Sequence, residues 1–99
     1  MHLDQEICRV FAPVRPKRIV LFGSRAHGDV DEHSDVDLIV VYETDKRFLD
    51  RLAELYLLWD LHLPVDILAY TPEEFDRMCK ESAFVSDAVA NGRSIYEAA

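Results

Sequence analysis

The sequence predicts an α/β domain in which helices cover a small mixed β-sheet. Segments with apolar residues at helical spacing alternate along the chain with short β-branched runs, an alternation typical of layered α/β folds. A length of 99 residues suits one hydrophobic core, so we expect a single domain over residues 1–99. Hydrophobic residues make up 49% of the chain and charged residues 30%, a balance that excludes a wholly disordered chain.

The elements are assigned from their apolar spacing and from the residues at their ends. In chain order we expect a helix over 3–11, a strand over 18–22, a polar connection over 24–34, a strand over 35–42, a helix over 46–62, a strand over 65–70, helices over 72–82 and 84–90, and an edge strand over 93–96. The sequence contains no internal repeat and no low-complexity tract, so we expect these elements to form one architecture.

Prolines, glycines and a capping residue mark the ends of these elements. Pro13 and Pro16 end the first helix, because proline lacks the backbone N–H that a helix interior needs. Gly23 closes the first strand, Thr71 supplies an N-cap hydroxyl for the third helix, and Gly92 follows the last helix. The second strand is apolar on both faces, which predicts that helices cover both sides of the sheet.

The longest predicted helix has apolar residues on two sides. The stripe expected to face the core consists of Phe48, Leu52, Leu55, Tyr56 and Trp59. Leu57 and Leu61 lie roughly opposite, on the side that also carries Asp50 and Glu54. If these two leucines are exposed, they form a contact patch for a partner; the alternative is that a sheet face or the C-terminal helix covers them.

Charge and composition narrow the classes of function. The chain has 11 basic and 19 acidic residues and a formal charge of −8, which argues against a non-specific grip on nucleic acid. The same charge fits a metal site, a basic partner or plain solubility.

No apolar run approaches the roughly 20 residues of a membrane span. The first residues lack a secretory signal, so we expect a cytoplasmic protein in which Cys8 and Cys79 are reduced packing residues.

Three acidic residues are the first candidates for chemistry. Asp35 and Asp37 are two positions apart on one predicted strand, so their side chains point to the same face. Asp66 interrupts the next strand and adds a third carboxylate if the two strands pair. Carboxylates so close together favour a cation, and their oxygens are ligands that Mg²⁺ prefers. The alternative, that Asp35 merely starts a strand and Asp66 lies at an edge, leaves Asp37 unexplained within an apolar run.

A glycine turn is the second candidate. The strand over 18–22 runs directly into Gly23-Ser24-Arg25-Ala26, which predicts a strand-to-helix turn. Free backbone N–H groups at such a turn, together with the Ser24 hydroxyl, can bind phosphates, and glycine lets the backbone approach a ligand closely. The turn alone is weak support, but beside a carboxylate pair it places a triphosphate and a metal in one site.

These motifs resemble a known signature. Gly23-Ser24, ten residues, and then Asp35-Val36-Asp37 resemble the pattern of the polymerase-beta-like nucleotidyltransferase superfamily. The longer strings from Gly23 to Gly28 and from Ser34 to Leu38 resemble the minimal nucleotidyltransferase family, the antitoxin half of HEPN–MNT toxin–antitoxin pairs. The resemblance covers essentially the whole chain and implies that fold. One departure is His27, where many members have an arginine that attracts phosphate more strongly.

The resemblance implies a role for each candidate residue. Gly23 and Ser24 would hold the β- and γ-phosphates of ATP, and Arg25 would add positive charge near them. The two Mg²⁺ ions of the family would be bound by Asp35, Asp37 and Asp66. In addition, Asp66 would help to deprotonate the hydroxyl that attacks the α-phosphorus, with pyrophosphate leaving.

The acceptor is open to three interpretations. The resemblance implies transfer of AMP to a tyrosine of a HEPN ribonuclease toxin, which this modification would silence. The rival is an antitoxin that neutralises its toxin by binding alone. The third is a transferase acting on a small molecule, similar to the aminoglycoside-modifying relatives, although these carry an additional helical domain. The sequence leaves open which nucleoside triphosphate is used and whether the protein forms a homo-oligomer.

Overall fold

The computed structural model describes residues 3–26 and 35–98, and it confirms the α/β fold class. The helices and strands are α1 Leu3–Phe11, β1 Arg18–Phe22, β2 Val36–Val41, α2 Phe48–Leu58, β3 Val65–Tyr70, α3 Pro72–Glu81, α4 Ala83–Asn91 and β4 Arg93–Glu97. Two single-turn 3₁₀ helices lie at Ala12–Val14 and Ser24–Ala26.

The strands form one mixed sheet in the order β3-β2-β1-β4. β1 is antiparallel to both of its neighbours, whereas β2 and β3 run parallel. A parallel pair needs a crossover connection, and α2 supplies it. β2 is therefore a central strand with a partner on each side, and β3 lies at an edge of the sheet.

Helices cover both faces of the sheet, as the apolar pattern of the second strand predicts. On one face, α1 and α2 pack over a core that includes Leu38 and Leu55. On the other face, α3 and α4 pack over Val20, Ile39 and Val85. We call these the α1/α2 face and the α3/α4 face. Adjacent residues Leu38 and Ile39 are both fully buried, on opposite faces, because side chains alternate along a strand.

α2 is shorter than predicted, 48–58 instead of 46–62. The helix ends at Trp59, whose backbone is extended, several residues before Pro64. The Trp59 indole N–H donates to the carbonyl oxygen of Leu63 at 2.9 Å, and its ring stacks on Phe11 with centroids 5.9 Å apart. These two contacts hold the Trp59 side chain outside a regular helix, and helical periodicity alone, which does not show them, placed the boundary too late.

The core-facing stripe of α2 is only partly as predicted. Leu55 is fully buried, but Phe48 is 39% exposed and Tyr56 is 40% exposed. Of the two leucines on the opposite side, Leu57 is 87% exposed, and Leu61 packs against the core of the α1/α2 face. The predicted contact patch therefore loses Leu61 and keeps Leu57.

Arg51 lies on the side of α2 that faces the protein interior, a position that the apolar spacing of the helix did not predict. Its guanidinium is buried and donates to both carboxylate oxygens of Glu74 on α3, at 2.6 and 3.3 Å. The same group donates to the carbonyl oxygens of Lys46 and Ala69. Glu74 also completes the predicted capping box with Thr71 at the start of α3. One glutamate therefore fixes both the start of α3 and the position of α2.

Two smaller predictions concern the cysteines and the membrane. Cys8 and Cys79 are free thiols, and each is partly buried. Burial and the nearby Asp4 charge raise the pKa of the Cys8 thiol, which keeps it protonated near neutral pH. Among the residues that the structure describes, no helix is long and apolar enough to cross a membrane.

Candidate active site

The predicted site residues lie in a row across three strands. Phe22, the last residue of β1, pairs with Asp37 on β2, and Asp37 pairs with Asp66 on β3. Neighbouring strands are about 4.8 Å apart, so the register places the two aspartates side by side. The Val36 N–H donates to the carbonyl oxygen of Pro64 at 2.9 Å, which extends the parallel pairing up to this end of the sheet. The expectation that the strand of Asp66 pairs beside that of Asp37 is confirmed.

Both aspartates belong to the α3/α4 face. Asp37 shares the side of β2 occupied by Ile39, and Asp66 shares the side of β3 occupied by Leu68; both apolar residues belong to the core of that face. Asp35 immediately precedes β2 and is exposed, Asp37 is half-buried, and Asp66 is exposed. The helices therefore leave this end of their face accessible to solvent.

The electrostatics of Asp37 show that the three carboxylates influence one another. Burial raises the pKa of the Asp37 carboxyl, and the negative charges of Asp66 and Asp35 raise it further. A half-buried anion beside two like charges is disfavoured unless a cation compensates it. The cluster therefore favours a positively charged ligand.

Gly23 lies directly against Asp37. Its φ of +76° lies in the left-handed region, where residues with a side chain are strained. A Cβ atom built on Gly23 would collide with the Oδ2 atom of Asp37. The backbone of the turn therefore passes so close to the carboxylate that only glycine fits, and this position joins the two candidate motifs into one site.

The turn itself is tighter than predicted. After Gly23 the chain forms only the 3₁₀ helix Ser24–Ala26, in which the Ala26 N–H donates to the Gly23 carbonyl oxygen at 3.1 Å. Ser24 is exposed and Arg25 is half-buried. The remainder of the predicted polar connection, with His27, lies outside the described residues. The proposed phosphate contacts of Gly23, Ser24 and Arg25 stay a prediction.

A cleft of about 410 Å³ opens at the two aspartates. Its walls are formed by Phe22, Asp37, Tyr56, Asp66, Ile67, Leu68 and Phe84. The volume falls in the range of small-molecule sites, which are typically apolar with a few charged groups. Sequence reasoning found the carboxylates but missed the apolar wall, because Phe84 comes from α4, far along the chain, and nothing in its local pattern sets it apart from a core residue.

Tyr56 is a second residue of the cleft that sequence reasoning placed elsewhere. Its hydroxyl donates to the carbonyl oxygen of Val65 at 3.3 Å and accepts the N–H of Ile67 at 3.1 Å. These two backbone groups flank Asp66 on the outer edge of β3, where no strand of the described part of the chain pairs. Tyr56 thus fastens α2 to the backbone on both sides of the exposed aspartate.

The candidate metal ligands within the described ranges 3–26 and 35–98 are the three aspartates Asp35, Asp37 and Asp66. Within them, no three His, Cys, Asp or Glu side chains converge closely enough to form a metal site as they stand. Asp35, Asp37 and Asp66 nevertheless supply the hard oxygen donors that Mg²⁺ prefers. Glycine at position 23 leaves the Asp37 Oδ2 atom in place, because any side chain there would collide with it. The donor chemistry fits a divalent cation completed by water or ligand oxygens.

The chain matches known proteins over much of its length. Residues 3–94 match the family model described as a nucleotidyltransferase domain. The chain is 32% identical over 82 residues to a Methanocaldococcus jannaschii protein named as a protein adenylyltransferase, a match that covers 83% of this chain and 80% of that protein. It is 39% identical over 64 residues to a Haemophilus influenzae protein adenylyltransferase named MntA, covering 61% of this chain and 56% of that relative.

A solved structure has a similar fold. The crystal structure of a toxin–antitoxin with AMP-PNP superposes with a TM-score of 0.69 and 22% sequence identity, over 98% of this chain and 75% of that chain. At this identity the likeness concerns the fold alone.

Proposed function

Because the chain belongs to the nucleotidyltransferase domain family, we propose that it transfers AMP from ATP to a hydroxyl of a partner protein. Family membership makes the protein a nucleotidyltransferase enzyme; the donor, the acceptor and the metal are proposed here. The observation that carries the proposal is the register that aligns Phe22, Asp37 and Asp66 beside the turn at Gly23. The turn that would hold the phosphates is thereby adjacent to the carboxylate cluster.

Asp35, Asp37 and Asp66 would hold Mg²⁺. Burial, with the neighbouring negative charges of Asp66 and Asp35, raises the pKa of the Asp37 carboxyl, and this supports the assignment. Bound there, Mg²⁺ would neutralise negative charge on the oxygens of the triphosphate. The backbone N–H groups at Gly23 and Ser24, with the Ser24 hydroxyl and the Arg25 guanidinium, would hold the β- and γ-phosphates.

In the proposed reaction, the acceptor oxygen forms a bond to the α-phosphorus of ATP. The bond from that phosphorus to the β-phosphate oxygen breaks, and pyrophosphate leaves with the electron pair. The proton of the attacking hydroxyl passes to the carboxylate of Asp66. Asp66 suits this role because its side chain is exposed to solvent, so the hydroxyl of a protein acceptor can approach it.

We propose that the acceptor is a tyrosine of a HEPN-domain toxin, so that the protein acts as an antitoxin. Two relatives are named protein adenylyltransferases, and a structure of similar fold is a toxin–antitoxin. The charge of −8 complements a basic partner, and the exposed Leu57 offers an apolar contact outside the site. An antitoxin that neutralises by binding alone is the rival, because the same surface would serve it.

The test is intact-mass spectrometry of a candidate HEPN toxin after incubation with this protein, Mg²⁺ and ATP. We expect the toxin to gain one or more AMP masses, and the double variant Asp35→Asn/Asp37→Asn to add none. The matched control is Asp45→Asn/Asp76→Asn, which makes the same change in net charge at exposed positions outside the cleft and should transfer AMP normally.

Binding of the toxin is measured in parallel with each variant. A stable complex without any AMP gain from the wild-type protein would refute transfer and favour the binding antitoxin. AMP gain that persists in the Asp35→Asn/Asp37→Asn variant would refute the assignment of the carboxylates. Omitting Mg²⁺ should abolish the gain, and restoring it should recover the gain.

A further inference from the structure

An exposed aromatic side chain forms one wall of the cleft. Phe84 is in the first turn of α4, and 60% of its surface is exposed. Its ring meets the edge of the Phe22 ring, with centroids 5.8 Å apart and planes at 88°. Phe22 is half-buried against the core of the α3/α4 face, so it holds the partner ring in place while one side of Phe84 remains open.

The two rings border both the carboxylates and the glycine turn. They line the 410 Å³ cleft together with Asp37 and Asp66. They also line a smaller cavity of about 190 Å³ that contains Gly23. Leu68 continues the apolar wall toward the core. An apolar surface is thus continuous with both groups that would hold the charged part of a nucleotide.

We propose that the Phe84 and Phe22 rings, with Leu68, bind the base of the nucleoside triphosphate. This inference rests on the proposed function for the identity of the ligand. Aromatic side chains bind bases by stacking, whatever the base, because every base has a flat π-face. With the triphosphate anchored at Gly23 and Asp37, the base is the only large apolar part of the donor, and these rings form the apolar wall of that cleft.

An aromatic acceptor side chain is a less fitting occupant of this wall. The wall adjoins the turn at Gly23, whereas Asp66, the residue that would take the acceptor proton, lies on the edge strand at the other side of the row. An acceptor that approaches from the side of β3 reaches the exposed Asp66 side chain without passing Phe84. The geometry therefore assigns the aromatic wall to the donor.

The experiment compares a ligand that has a base with one that has none. Binding of ATP and of inorganic tripolyphosphate to the free protein is measured by calorimetry with Mg²⁺ present. For Phe84→Ala we expect the Kd of ATP to rise about tenfold, the usual scale for a lost base–aromatic stack, while the Kd of tripolyphosphate stays within about twofold. Phe84→Trp should retain ATP binding. Leu57→Ala, which removes an exposed side chain on α2, is the matched control and should change neither Kd.

Three outcomes would overturn the inference. Wild-type protein that binds ATP no more tightly than tripolyphosphate has no base subsite. Equal weakening of both ligands by Phe84→Ala shows a general displacement of α4. Unchanged ATP binding, with a higher KM for the protein acceptor, assigns the wall to the acceptor. The measurement of ATP binding needs no acceptor. Failure of AMP transfer would therefore refute the proposed function without changing the measured effect of Phe84→Ala on ATP binding.

Discussion

Asp37 and Asp66 are paired in one parallel register, yet their surroundings differ. Asp37 is half-buried on a central strand, with Gly23 pressed against its carboxylate and its pKa raised. Asp66 is exposed on an edge strand, and only one side of its backbone pairs with another strand. The difference separates two tasks within one carboxylate cluster: a fixed, partly desolvated ligand at the centre and an accessible proton acceptor at the edge.

β2 and β3 also differ in the partners of their backbone hydrogen bonds. β2 is paired along both sides by other strands. β3 pairs on one side only, and side chains of α2 occupy its outer edge: the Tyr56 hydroxyl bonds the backbone of Val65 and Ile67, and Arg51 donates to the carbonyl oxygen of Ala69. A covered edge cannot template another strand. The position of Asp66 therefore depends on α2, whereas that of Asp37 depends on the sheet.

The largest expected effect is a loss of AMP transfer, and its size should differ between variants of Asp37 and Asp66. Asp37→Asn should lower AMP transfer about 10³-fold and weaken binding of ATP with Mg²⁺, because the central carboxylate would hold the charged ligand. Asp66→Asn should lower turnover about 10²-fold with a smaller effect on ATP binding, the scale of a lost general base. Transfer rates and calorimetric ATP affinities measure both. Equal loss of ATP binding in the two variants would contradict the division of tasks.

Asp37→Asn should lower activity but raise stability at neutral pH. The fold raises the pKa of Asp37 above its unfolded value, so its contribution to stability is present at low pH and is lost as pH rises through the folded pKa. In EDTA at pH 7, Asp37→Asn should therefore raise Tm. Near pH 3 the carboxyl is protonated in the wild type as well, and the Tm difference should disappear. A variant that melts lower than wild type at pH 7 would show that the carboxylate stabilises the fold.

Gly23→Ala tests the close approach of the turn to the central carboxylate. The added Cβ collides with Oδ2 of Asp37, and the φ of +76° strains any side chain. We expect unfolding free energy to fall by about 2–4 kcal/mol, from strain and overpacking together. Transfer should fall about 10²-fold because the carboxylate is displaced. Denaturant unfolding and the transfer assay measure the two effects.

The double variant Gly23→Ala/Asp37→Ala distinguishes the collision from the backbone strain. Removing the carboxylate relieves the collision, so the stability penalty of Gly23→Ala should shrink to the strain alone, about 1–2 kcal/mol. If the penalty is the same with and without Asp37, the turn does not press on the carboxylate.

Glu74→Gln tests the support of the edge strand from a distance. Glu74 accepts two hydrogen bonds from buried Arg51, and this pairing, ahead of its hydrogen bonds within the capping box, holds the pKa of Glu74 below its ordinary value. Its contribution is therefore present above the unfolded pKa and is lost as pH falls through the folded pKa. We expect a loss of about 1–3 kcal/mol at pH 7, the usual range for hydrogen bonds to charged groups. Urea unfolding at pH 7 and in acid should show the gap between wild type and variant closing in acid.

The sequence predicted those parts of the molecule that depend on local pattern. The strand over 65–70 has the predicted limits. The shared face of Asp35 and Asp37 stays a prediction, because β2 begins at Val36 and Asp35 precedes it. The pairing that brings the strand of Asp66 beside that of Asp37 was expected and is confirmed, although its parallel direction was not predicted. Gly23 was selected because glycine lets the backbone approach a ligand closely; in the structure its backbone, at a positive φ, lies against the Asp37 carboxylate.

Contacts between distant segments were not predictable in this way. Tyr56 was assigned to the core because its spacing matches Leu55 and Trp59, but its hydroxyl draws it to the edge of β3. Arg51 was overlooked because its partner Glu74 lies on another helix. In both residues a polar group meets a partner that helical periodicity does not reveal, and the apolar pattern counts only the hydrocarbon part of the side chain.

Tyr56→Phe is expected to have the smallest effect, and it distinguishes the role of Asp66 from that of Asp37 most clearly. The change removes one hydroxyl and leaves the Val65 carbonyl and the Ile67 N–H at a partly hydrated edge, so unfolding free energy should fall by only about 1 kcal/mol. Turnover should fall about fivefold as Asp66 loses its fixed position, the same energy expressed as a rate. ATP affinity should be unchanged, because Asp37 and the Gly23 turn keep their own support.

Tyr96→Phe on β4, an equally exposed tyrosine outside the cleft, is the control and should leave turnover at the wild-type level. A loss of ATP affinity in Tyr56→Phe would mean that the edge strand also positions Asp37, and the two carboxylates would then act as one rigid unit.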